Sequence, residues 1–176
     1  MLLAILLLIK ISNMEMNFLI LGIAALIPLV VGFIWYNPKV FGTAWMQAVG
    51  LSEDKMKEGF NMPLVFGLTL VFGFFIAFML QSGVIHQIAL TQLTMHFAKD
   101  PTTQAEIANL MSKYGHEFRD FRHGMIHGGM FGLLFAFPIL AINALFDRKS
   151  WKYIFINAGY WLVTLMLMGG VICKFA

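Results

Sequence analysis

Four long stretches of the chain carry no Asp, Glu, Lys or Arg: residues 16–37, 59–98, 123–146 and 153–173. A helix of about 20 apolar residues crosses a hydrocarbon core roughly 30 Å thick. A charge at the centre of such a helix costs on the order of 2.5–3.5 kcal/mol. Each charge-free stretch is long enough to span, and we place the spans at residues 17–36, 63–83, 124–145 and 153–173. Composition agrees: 60% of the residues are hydrophobic and 12% are charged, about half the usual charged share of a soluble domain. In water this much apolar side chain would form aggregating patches. A disordered chain needs the opposite balance, and the lone Cys173 excludes an internal disulfide. The stretches are continuously apolar, whereas barrel strands alternate over about ten residues. A helix also bonds all its backbone polar groups within one segment, as lipid requires. The expected fold is therefore an all-α bundle of four transmembrane helices, forming one domain over residues 16–176.

The boundaries carry further detail. Trp35 and Tyr36 close the first span and Trp151 and Tyr153 open the fourth, at the headgroup level that amphipathic aromatic rings favour. Tyr160 and Trp161 lie deeper, where they either bond to another helix or fill the bundle. Pro28 and Pro138 imply kinks. In the first loop Ser52, followed by Glu53 and Asp54, starts a short helix. Nothing stops the second span from continuing as helix through His86 and Gln87. In the long second loop, Asp100-Pro101 opens a helix with an N-cap and a proline at its first position. Ile107, Leu110, Met111 and Tyr114 then mark one apolar face, with Gly115 as the terminator. This amphipathic helix belongs outside the membrane, on its surface or over the bundle.

Residues 1–9 are apolar but too short to span, and they lack a basic n-region and a cleavage site. Residues 1–15 are read as an extra segment with translation starting near Met16; a helical extension or an interfacial segment is the alternative. Basic residues divide evenly. Lys10, Lys99, Lys113, Arg119, Arg122 and Lys174 lie on the terminal side; Lys39, Lys55, Lys57, Arg148, Lys149 and Lys152 lie on the other. The short, dense segment 148–152 tips the orientation towards both termini outside the cytoplasm. These charges flank spans rather than form one stripe, so the net charge of +3 calls for no nucleic-acid partner.

The chemistry-bearing residues crowd into 116–132. An unbroken helix through this segment puts His116, Asp120, His123 and His127 on one face. His123 and His127, one turn apart, could jointly hold a transition metal or serve as haem ligands. Asp120 or Glu117 would then add oxygen ligation or an outer-shell contact. The alternatives are a proton relay, binding of another ligand, or histidines that only bond to backbone or neighbouring helices. Gly124, Gly128, Gly132 and Ala136 form a ribbon of small residues at i+4 spacing that lets another helix approach closely, within the bundle or in a homodimer. The thirteen methionines are core filling rather than a thioether copper site. No phosphate loop, dinucleotide fingerprint or nucleophile motif is present, so an enzyme is not the leading reading and no cofactor is required.

The string Trp35-Tyr36-x-Pro38-x-x-Phe41-Gly42-x-x-Trp45-Met46, followed by Gly50-Leu51-Ser52-Glu53, resembles the opening of the bacterial membrane family catalogued as domain of unknown function 1761. His123-Gly124-x-x-His127-Gly128, Pro138, Asn143-x-Leu145-Phe146 and Ile156-Asn157-Ala158-Gly159-Tyr160-Trp161 are similar to it as well. The resemblance runs from residue 16 to the C-terminus. It implies a four-span protein of the bacterial cytoplasmic membrane and supplies no activity or catalytic residues. Three functions stay open. The first is non-enzymatic binding of a small ligand, lipid or partner, through Trp35, Tyr36 and Trp45 and the His116–His127 face. The second is metal or haem binding at His123 and His127. The third is a small transporter or channel assembled as a homo-oligomer through the glycine ribbon.

Overall fold

The computed structural model describes residues 17–52, 55 and 61–176. The segment 1–15, and residues 53, 54 and 56–60 of the helix expected from Ser52, lie outside the described residues. Among the described residues there is no strand. Four helical segments are long and apolar enough to cross a membrane: Phe18–Trp35, Met62–Val84, Phe121–Phe146 and Trp151–Phe175. The fold is a four-transmembrane-helix bundle with a short amphipathic helix between the second and third spans.

Polar side chains start the helices. Asn17 accepts from the Ile20 N–H at the head of α1 (Phe18–Trp35). Asn61 does the same for Leu64 at the head of α3 (Met62–Val84). Between them lies α2 (Gly42–Val49), which ends on Gly50 at a left-handed φ of 75°. The α3 helix does not continue through His86. It stops at Val84, Ile85 is extended (φ −111°, ψ 99°), and α4 (His86–Leu93) begins in a new direction. The expectation of a continuous helix is corrected here: a span can end without Pro or charge when a neighbouring side chain takes up the freed carbonyl. At this break Cys173 Sγ lies 3.2 Å from the Val84 carbonyl oxygen.

Asp100 caps α5 (Pro101–Tyr114), accepting from the Thr103 N–H at 2.8 Å and its hydroxyl at 2.9 Å. No residue of α5 is buried, and Leu110 and Tyr114 are exposed. Ile107 and Met111 on the same face are half-buried, so the apolar face is partly covered and partly open. The third span consists of α6 (Phe121–Phe131), a π-helical turn (Gly132–Ala136) and α7 (Phe137–Phe146). Pro138 has no N–H for the Leu134 carbonyl and its ring crowds that oxygen, and the wider π turn stands immediately before it. The fourth span is α8 (Trp151–Phe175), capped by Ser150.

The α8 helix is the hub. Half of its apolar window is buried inside the chain, against 17% for α3 and for the third span. Leu21, Ala77, Leu80, Val84, Met168 and Ile172 form the core that joins α1, α3 and α8. Gly124, Gly128 and Gly132 lie against α8: a Cβ on any of them would run into the backbone of Gly169, Leu165 or Leu162. The small-residue ribbon is used within the chain. Outward-facing Phe33 and Phe146 are more than 80% exposed, which suits a hydrocarbon solvent.

Candidate metal centre

Antiparallel packing brings the end of α3 and the start of α6 to the same end of the bundle. The break at Ile85 then turns His86, the first residue of α4, towards α6. His86, His123 and His127 each offer a ring nitrogen, and these three atoms lie within 4.8 Å of one another. His86 Nε2 and His123 Nε2 are 2.9 Å apart. One of this pair donates and the other accepts, so one of the two nitrogens carries no proton. The ring centroids are 4.9 Å apart for His86–His123 and His86–His127, and 4.5 Å for His123–His127. His86 is exposed and the other two are half-buried, so the cluster opens to the surface at this end of the bundle.

The surroundings hold this geometry. Phe118 is a non-glycine residue at φ 60°, a left-handed conformation that costs on the order of 1–3 kcal/mol and persists only where neighbours enforce it. Its ring lies 5.0 Å from His123 and 5.9 Å from His86, centroid to centroid. Two buried side chains fix the loop that carries it. Gln87 Nε2 donates to the Tyr114 and Glu117 carbonyls at 3.0 and 2.9 Å. Cys173 Sγ stands 3.2 Å from the Phe118 carbonyl as well as from that of Val84, so its single S–H is shared between the two sides of the site. Arg119 bonds the Ala176 carbonyl, and burial holds its guanidinium below the ordinary value.

Three neutral imidazoles form a donor set suited to Zn, Cu, Fe or Ni. Metal–nitrogen bonds run about 2.0–2.1 Å. Donors around one ion therefore sit roughly 3 Å apart; one pair here is at 2.9 Å and all three atoms are within 4.8 Å of one another. Three protein ligands also leave a coordination position open.

Two of the expected residues do not join the cluster. His116 and Asp120 share no helical face with His123 and His127, because the positive φ at Phe118 and the extended backbone at Asp120 interrupt the helix. Asp120 instead caps α6, its carboxylate accepting from the His123 N–H at 2.9 Å. Trp35, Tyr36 and Trp45 lie at the opposite end of the bundle and hold α1 and α2 to α8. The Trp35 indole donates to the Ile156 carbonyl at 3.0 Å, and the Tyr36 hydroxyl donates to Asn157 Oδ1 at 2.9 Å. Trp45 meets Tyr36 edge-on at 5.5 Å. Deeper in the bundle Tyr160 donates to the Pro28 carbonyl at 2.9 Å. Sequence reasoning missed His86. The available signal was topological: the end of the second span and the start of the third share one side of the membrane, and His86 is the histidine nearest the end of the second span.

A family model described as "Protein of unknown function (DUF1761)" matches residues 19–173. No curated protein and no solved structure matches the chain.

Proposed function

From the premise that the chain belongs to the DUF1761 family, whose description assigns no activity, we propose that it is a multi-pass protein of the bacterial cytoplasmic membrane that binds one transition-metal ion through His86, His123 and His127. The observation that carries this reading is the convergence of three ring nitrogens within 4.8 Å from two separate helices. Interface histidines that only bonded to backbone would have no need to meet. The three rings pack directly on one another and leave no slot between them for a macrocycle, which favours an ion over haem. The bilayer is the partner this function requires.

Metal analysis of detergent-purified protein tests it. The expected result is close to one equivalent of bound metal after reconstitution with Zn²⁺ or Co²⁺. It falls at least tenfold in His86→Ala and His127→Ala and is unchanged in His116→Ala. Binding that survives in both triad variants, or sub-stoichiometric metal in the wild type, would overturn the assignment.

A further inference from the structure

An apolar groove of about 730 Å³ runs along the seam between α3 and the third span, with α8 as its floor. Phe75, Ile76 and Met79 form one wall, Phe131 and Phe135 the other, and Leu165 the base. No histidine lines the groove; the lining residue nearest the cluster is Phe131, whose ring lies across the seam on Gly83. Phe131 is one helical turn after His127 on the same face of α6. A Cβ on Gly83, three residues before His86, would run into the Phe131 ring. The groove extends from this point past Ala136 to Leu140, about 14 Å of helix at 1.5 Å per residue. The π turn falls inside this stretch and contributes Phe135 and Ala136 to the lining. One seam therefore presents a polar, ligand-donating end at the membrane boundary and a hydrocarbon slot running into the membrane.

Resting on the metal-binding reading, we propose that the site takes an amphiphile: its polar head fills the open coordination position at the trihistidine ion, and its single hydrocarbon chain lies in the groove. A bulk phospholipid tail could fill the slot without any head at the metal. The committed occupant is the amphiphile with a metal-ligating head, because the slot starts at Phe131, one helical turn from His127.

The test uses Co²⁺-loaded full-length protein in one detergent, with the visible cobalt spectrum as readout. Acetohydroxamate and dodecanohydroxamate share a chelating head and differ in chain. The long-chain probe should bind at least tenfold more tightly than the short one in the wild type. Ala136→Phe, which fills the slot, should erase that advantage while leaving the cobalt spectrum and acetohydroxamate binding unchanged. Leu140→Phe serves as a second slot-filling variant should the first not fold. Partition into micelles is common to all the proteins and cancels. If cobalt is held and acetohydroxamate shifts the spectrum, but the chain-length advantage is equal in wild type and slot-filled variants, this inference fails and the metal site stands; occupancy by bulk lipid gives that result. If cobalt is not held, both readings fail together.

Discussion

At the scale of single residues, chemistry and close packing share α6. His123 and His127 face α4, while Gly124 and Gly128, each one position further along, face α8. A methyl group at Gly128 would overlap the Leu165 carbonyl, which is backbone and cannot rotate away. Gly128→Ala should therefore force α6 and α8 apart and cost about 1–3 kcal/mol, the usual range for overpacking. Gly22 is the control: nothing lies within 4 Å of an added Cβ, and Gly22→Ala should be neutral or stabilising by up to about 1 kcal/mol. Denaturant titration in detergent reads both, and equal effects would contradict the packing argument. The pair His123 and His127 was legible in the sequence because helical spacing alone places them together. His86 was not, because its distance from them is set by a chain break and by the packing of two spans.

At the scale of elements, the Asp100 cap of α5 was readable in the sequence. Asp100 accepts from the Thr103 N–H, and that bond, followed by the bond from the Thr103 hydroxyl, holds its carboxyl below the ordinary carboxylate value. A group with a lowered folded value contributes stability above its unfolded value and loses it as pH falls through the folded one. Amide exchange in α5 should therefore be protected near pH 6 and quicken towards about pH 3 relative to intrinsic rates, and Asp100→Ala should remove the difference. No such change between the two pH values in the wild type would show the cap to be idle. The breaks were harder to read. Local propensity allows α3 to run through Ile85 and allows a helix from His116 into α6. What interrupts them is tertiary: Cys173 from α8 takes up the Val84 and Phe118 carbonyls, and Gln87 holds the loop before Arg119.

At the scale of the whole molecule, four spans put the α4–α5 segment and the loop between α7 and α8 on opposite sides of the membrane. Single cysteines at Lys113 and Arg148, in a background where Cys173 is replaced by Ser, should react with an impermeant maleimide from opposite faces of sealed vesicles. Labelling of both from one face would overturn the four-span fold. The face that labels at Lys113 also tests the orientation expected from the dense basic segment 148–152. The number of spans, the class of fold, the Asp100-capped start of α5 and the small-residue face of α6 were decided by the sequence alone. Charge exclusion from hydrocarbon, side-chain capping and helical spacing all act within about one span of chain. The tertiary structure decided which residues meet: His86 with His123 and His127, Phe131 over Gly83, and Trp35 and Tyr36 with Ile156 and Asn157 of α8. Those contacts join positions 37 to 121 residues apart. They depend on how far each helix is rotated and where it breaks, quantities fixed by the simultaneous packing of all four spans and by no local signal.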